Sequence, residues 1–146
     1  MKFSGSVDIK APRDRVWAFV TDPNQVGPCG PGVESIEVID GTHFKAKAKV
    51  GVGFITARFA SDMELVDLRP PDEAVLTAHG QAPGSAVDAR AHMRLADDGA
   101  GGTRMDWDAD VNISGTLASV GARMIEGTAS KMIGQTFDCI RTKLEA

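Results

Sequence analysis

The sequence contains no tyrosine, only two cysteines and three histidines, and its aromatic content is 5%. Each scarcity excludes something. Without tyrosine, one common acid–base side chain is missing from any active site. Cys29 and Cys139 lie far apart and form no Cys-x-x-Cys pair, which argues against a structural zinc or a thioredoxin-type site. Positive charge is in the minority, with 16 Lys and Arg against 20 Asp and Glu, a net charge of −4 and a pI near 5.3. That balance argues against a nucleic-acid partner. No apolar run approaches the ~18 residues of a transmembrane helix. The opening Met1-Lys2-Phe3-Ser4-Gly5 has none of the apolar stretch of a secretory signal. The expectation is therefore a cytoplasmic chain with both cysteines as free thiols, Cys29 in an exposed Gly/Pro loop and Cys139 as a small core residue.

What remains is ample for one domain spanning 1–146. The 146 residues are 42% hydrophobic and 25% charged, the balance of a globular protein. A chain of this size hides roughly 65–70% of its unfolded surface and needs no staple. No linker, repeat or low-complexity block interrupts it.

The hydrophobic period organises the chain. Residues 2–10 alternate, with Phe3, Val7 and Ile9 on one face, and predict a half-buried strand. Pro12 opens one short helix and Asp22-Pro23 a second, with Asp as cap and Pro in the first turn. Gly27 to Gly32 breaks it. From about 33 to 114 the period is two, punctuated by Asp40-Gly41, Gly51 to Gly53, Arg69 to Asp72, Pro83-Gly84 and Asp97 to Gly102, which predicts six further strands. After Gly115 the period becomes 3.6. Leu117, Val120, Met124, Ala129, Met132, Ile133, Phe137, Ile140 and Leu144 fall near one face of a helix over 117–144, roughly 42 Å long. Its interior glycines, Gly121, Gly127 and Gly134, admit two readings: close packing against the sheet, or volume left for a ligand.

Charges alternate just as regularly. Closing the hairpins at 83–84 and 97–102 sets Leu95 opposite Met105, Arg94 opposite Asp106, His92 opposite Asp108, Arg90 opposite Asp110, His79 opposite Asp88 and Glu73 opposite Arg94. Such cross-strand pairs contribute about 0.2–1 kcal/mol each. They make Asp106, Asp108 and Asp110 part of a solvated outer face rather than a metal site. Lys45, Lys47 and Lys49 form a second outer stripe, a docking surface if an acidic partner exists.

The inner face mixes alanine with Met, Phe and Trp, a composition suited to an apolar cavity under a long helix. Its candidate ligand-binding residues are Phe44, Ala46, Phe59, Met63, Ala89, Met93, Met105 and Trp107, with Val120 and Met124 from the helix. Cys29, Pro31 and Gly32 are candidate gate residues, as is the Gly51–Gly53 turn. No catalytic residue, metal site or cofactor is predicted. The face carries no histidine or carboxylate pair, and the chain has no Gly-x-Ser-x-Gly, P-loop or dinucleotide fingerprint.

Two motifs carry a resemblance. Asp22-Pro23 with Cys29-Gly30-Pro31-Gly32-Val33-Glu34 resembles the Asp-Pro…Cys-x-Pro-Gly-x-Glu segment of the carbon monoxide dehydrogenase G-subunit family. Gly102-Thr103-Arg104 and Ser114-Gly115-Thr116-Leu117-Ala118-Ser119-Val120-Gly121-Ala122-Arg123 are similar to its Gly-Thr-Arg and Ser-Gly-x-Leu-Ala-x-x-Gly-x-Arg signatures. Thr136-Phe137 stands where the family often has Phe-Phe. The resemblance implies an α+β, START-like helix-grip fold: a curved seven-stranded antiparallel sheet wrapped around a long C-terminal helix, with two short helices between strands 1 and 2. It also implies a non-enzymatic protein that binds a quinone or lipid. Such a protein is accessory to the maturation or membrane coupling of a molybdenum-containing carbon monoxide dehydrogenase-type hydroxylase. Many members carry a C-terminal extension that reaches the membrane. This chain ends at Ala146, so the expectation is a soluble carrier, with peripheral contact at the inner membrane face as the alternative location. The competing readings are a polyketide cyclase or aromatase-like enzyme, which needs Ser61, Thr77 or Arg58 turned into the cavity, and a protein-docking module.

Overall fold

A computed structural model describes residues 1–146. The elements run β1 (Lys2–Ile9), α1 (Arg13–Val20), α2 (Pro23–Val26), a 3-10 turn (Gly27–Cys29), β2 (Val33–Val38), β3 (His43–Val52), β4 (Ile55–Arg69), β5 (Glu73–Ala82), β6 (Ser85–Asp97), β7 (Thr103–Gly115), a second 3-10 turn (Thr116–Val120) and α3 (Ala122–Glu145). The strands form one antiparallel sheet in the order β1-β7-β6-β5-β4-β3-β2. From β2 to β7 every strand pairs with its sequence neighbour, and β1 closes the far edge on β7.

The hairpin register is the one the charges predict. Leu95 faces Met105, Arg94 faces Asp106, His92 faces Asp108 and Arg90 faces Asp110 on β6–β7. His79 faces Asp88 and Glu73 faces Arg94 on β5–β6. His79 contacts Asp88 directly across the strands, whereas the other ion pairs shift to diagonal or neighbouring partners: Arg94 reaches Asp108 at 3.3 Å, His92 reaches Glu73 at 3.2 Å and Arg90 reaches Asp67 at 3.6 Å. Long side chains on a twisted sheet reach a diagonal neighbour as readily as a directly opposite one.

The helix departs from expectation at its start. Residues 116–120 form a separate 3-10 turn, and Gly121, at φ 96°, breaks the path before α3 begins at Ala122. The break resets the helical phase. Ile125 is buried and Met124 is 48% exposed, so the apolar face projected from Leu117 onto Met124 is corrected. The 24 residues of α3 span about 36 Å. Gly127 and Gly134 are exposed, and a Cβ at either meets nothing within 4 Å. Neither close packing nor ligand volume accounts for them. Gly127→Ala/Gly134→Ala is therefore expected to raise the unfolding free energy by about 1–2 kcal/mol, from helix propensity alone. Urea denaturation checks this, and a loss of stability contradicts it.

The free-thiol expectation is also corrected. Cys29 and Cys139 form a disulfide, with Cα atoms 5.4 Å apart, and no free cysteine remains. Cys29 is 4% exposed rather than open to solvent. The α1–α2 segment returns along the C-terminal half of α3, and this packing brings two cysteines from opposite ends of the chain together.

The core has two centres. One joins Ile9, Ala11, Val16, Phe19, Cys29, Leu95 and Met105 to Ile140 and Leu144 of α3. The other joins Val52, Phe59 and Leu117 to Ile125 near the start of α3. Between them the inward face of the central strands includes four small, half-buried side chains, Ala78, Ala89, Ala91 and Ala109. No helix is long and apolar enough to cross a membrane.

Candidate functional site

The site grows from the corner between α1 and α2. Val16 and Phe19 anchor α1 in the core. The Thr21 backbone N–H and its hydroxyl both donate to the Trp17 carbonyl, the hydroxyl at 2.7 Å. Asp22 then caps α2: its carboxylate accepts from the Asn24 backbone N–H at 3.0 Å and from the Gln25 side chain at 2.9 Å. This corner holds Val20, Thr21, Pro23 and Val26 over the sheet. Together with Phe44, Leu65, Ala74, Leu76, Ala91, Met93 and Met105 of β3 to β7, and with Phe137 and Ile140 of α3, they line a partly open cavity of about 190 Å³.

Eleven of these thirteen lining residues are hydrophobic. The other two are Pro23, which has no N–H, and Thr21, whose hydroxyl is already engaged. The lining thus offers no ionisable side chain and no unpaired polar side-chain group. Such a wall recognises a ligand by apolar area and shape, with no side chain placed to take or give a proton.

The structure distributes the sequence candidates unevenly. Phe44, Met93 and Met105 line the cavity. Ala46 is buried one pleat further along β3. Phe59 is buried in the second core centre, and Val120 packs against it. Met63 and Ala89 are half-buried on the inner face outside the cavity. Trp107 packs on Phe137 with ring centroids 5.6 Å apart, and its ring lies over Gly5 of β1, 3.1 Å from where a Cβ there would stand. Met124 lies over the β3–β4 turn beside Gly53, outside the cavity.

Of the gate residues, Cys29 is bonded to α3. Gly32 is laced to β3: its carbonyl accepts from the Lys49 N–H at 2.9 Å, and a Cβ there would stand 2.1 Å from the Lys49 oxygen. Pro31 lies between them, half-buried. Among the three polar candidates, Ser61 shares the inner face with Ala46 and Gly80 outside the cavity. Thr77, paired with Glu64, is on the outer face, and Arg58 reaches Glu34 at 3.3 Å there.

Sequence reasoning missed the helix corner, the even-numbered residues of β5 and the α3 residues Phe137 and Ile140 as cavity walls. Continuing the hairpin register would have found Ala74 and Leu76, which stand opposite Met93 and Ala91. Nothing local marks the corner, because its position depends on the docking of α1 and α3.

The family-like signatures have structural roles. The Thr103 hydroxyl, fully buried, donates to the Ala11 carbonyl at 2.7 Å. Gly102 lies beneath the Asp98 carboxylate, which accepts its N–H at 2.9 Å. Gly115 turns the chain from β7 into the 3-10 turn that carries the buried Leu117.

The outer face holds larger, solvent-open depressions of about 480 and 750 Å³. They are lined mainly by polar and charged side chains, many of them paired across strands. At their edge the Asp40 carboxylate is held down at about 2 by the Thr42 backbone N–H, the His43 ring and the His43 backbone N–H. Asp40 in turn raises the His43 pKa above 6.5. This is a hairpin-tip interaction of exposed groups, remote from the cavity. Lys45 pairs with Asp62 at 3.8 Å, while Lys47 and Lys49 make no ion pair within 4.0 Å.

A seven-stranded antiparallel sheet closed over a long C-terminal helix, with two short helices after the first strand, defines a START-like helix-grip protein. Solved structures share this fold. A conserved protein from Geobacillus kaustophilus matches with a TM-score of 0.92 at 24% identity, over 99% of this chain and 95% of that one. The Zhui aromatase/cyclase from Streptomyces sp. R1128 matches at 0.74 and 16%, over 99% and 93%. A START superfamily protein from Mycobacterium smegmatis matches at 0.71 and 12%, over 99% and 97%. No curated protein matches the sequence. The chain belongs to the carbon monoxide dehydrogenase G-subunit (CoxG) family, whose model matches residues 5–145.

Proposed function

We propose that this protein is a non-catalytic carrier of a lipophilic molecule of the quinone or lipid class, accessory to a molybdenum-containing carbon monoxide dehydrogenase-type hydroxylase. One observation carries the reading: an apolar cavity whose single hydroxyl is internally bonded. Burial of about 200 Å² of apolar ligand surface there contributes roughly 5 kcal/mol before the costs of association. Discrimination would come from shape rather than hydrogen bonds. The alanine floor of the sheet, Ala89, Ala91 and Ala109, offers a path along which an apolar tail extends from the cavity. Membership of the family supports the accessory role. For contact with the hydroxylase or a membrane surface, the available features are the unpaired Lys47 and Lys49 and the 91% exposed Phe54 at the β3–β4 tip.

Native mass spectrometry after incubation with a quinone and with a phospholipid tests the proposal. The expected result is a one-to-one adduct with at least one of them that survives gel filtration. A protein that retains neither, and leaves both in the lipid phase, overturns it.

A further inference from the structure

The disulfide stands at the rim of the cavity. Cys29 ends the 3-10 turn that continues α2, three residues after Val26, and Cys139 lies on α3 between Phe137 and Ile140. Val26, Phe137 and Ile140 all line the cavity. The bond therefore joins the helical roof of the site to the helix beneath it.

Little else holds that roof. α2 buries none of its four residues. The hydrogen bonds of Asp22–Cys29 all stay within residues 19–30, and none reaches α3. Beyond the disulfide, the segment is held by apolar contact alone, chiefly Gly27 against Ile36 and Val26 against the core. The cavity of about 190 Å³ is smaller than the roughly 300–1,000 Å³ of ordinary small-molecule sites. Room for a whole quinone or lipid needs a wall to give, and α2 is a wall with no buried residue and no hydrogen bond to α3.

The geometry points to a redox latch: the Cys29–Cys139 disulfide holds the α2 roof closed over the apolar cavity, and its reduction frees the roof and lets the lipophilic ligand exchange. The inference rests on the carrier reading above. The reductant is an external dithiol. Its thiolate attacks the sulfur of half-buried Cys139, the S–S bond breaks and the Cys29 thiolate leaves and takes a proton. The second thiol of the reductant then displaces the mixed disulfide and frees the Cys139 thiol. Two electrons and two protons pass to the protein, and the dithiol ends as a disulfide. An oxidant of the disulfide class reverses the sequence.

The test uses the full chain, oxidised, reduced with dithiothreitol, and as Cys29→Ala/Cys139→Ala. Two quantities are read: stopped-flow release of the neutral fluorophore N-phenyl-1-naphthylamine, and amide hydrogen exchange. Breaking the bond is expected to speed probe release and exchange at residues 22–30 by about tenfold or more, and to leave those residues exchanging faster than β6 and β7, whose protection falls only with the global stability. Unchanged release and exchange overturn the latch. Equal exchange rates at residues 22–30 and in β6 and β7 also overturn it, because the roof then opens only with the whole fold. If neither the oxidised nor the reduced protein takes up the probe while exchange at 22–30 rises on reduction, the opening of the roof is supported and the carrier reading is what fails.

Discussion

Removal of the Cys29–Cys139 bond, by reduction or as Cys29→Ala/Cys139→Ala, is expected to lower the unfolding free energy by about 4 kcal/mol and to leave the native sheet in place. The bond closes a loop with a sequence separation of 110. Cross-linking a loop of about 100 residues removes chain entropy from the unfolded ensemble equivalent to roughly 4.7 kcal/mol, less whatever the native geometry gives back. A domain of this size has about 5–15 kcal/mol in total, so the uncrosslinked chain still folds. Alanine is the replacement of choice, because a serine hydroxyl at buried Cys29 would lack a partner. Urea denaturation reads both consequences: the midpoint falls, and the m value rises because the unlinked chain exposes more surface. A loss below about 1 kcal/mol would show that the unfolded ensemble is barely constrained by the bond.

Gly115→Ala is the second large effect. Gly115 sits at φ 83° and ψ −153°, a region essentially confined to glycine, where another residue costs of order 1–3 kcal/mol. A Cβ there would also stand 2.0 Å from the Gly84 oxygen, which accepts the Thr116 N–H at 2.8 Å. Strain and collision act together on the corner that seats Leu117, so the expected loss is about 3 kcal/mol or more. For a chain of this length that lowers Tm by roughly 6–12 °C. Gly121→Ala separates the two causes. Gly121 has a similar backbone, φ 96° and ψ 150°, but a Cβ there meets nothing within 4 Å. It should show strain alone and lose less. Equal losses at both positions would show that the collision adds nothing to the strain.

These two sites show where local sequence carries information and where it does not. The register of β5 to β7 was legible because side chains alternate with period two and each turn announces itself with glycine, proline or aspartate. Once a hairpin closed, every opposing pair followed, down to His79 against Asp88. The phase of α3 was not legible past Gly121, because one residue with positive φ discards the periodicity accumulated before it. The inner face of the sheet was legible, but not which of its residues border a void. Phe44 and Phe59 share face and burial, yet only Phe44 meets the cavity. The difference lies in where α3 and the α1–α2 corner dock. The disulfide was illegible for the same reason, since two cysteines so far apart meet only through that docking. The signature residues were legible as signals of kinship, whereas their work is in the scaffold: Thr103 ties β7 to Ala11, and Gly115 turns the corner.

That the apolar cavity under α2 is the ligand site is tested most directly by titrating N-phenyl-1-naphthylamine into wild-type protein and into Ala91→Phe. Ala91 faces inward on β6 opposite Leu76 and Ala109 and lines the cavity, so a phenyl group there occupies the void at a stability cost of about 1–3 kcal/mol. The expected result is saturable one-to-one binding by wild type and at least about tenfold weaker binding by the folded variant. Equal binding by both proteins would contradict it, because the ligand would then be held somewhere other than this cavity.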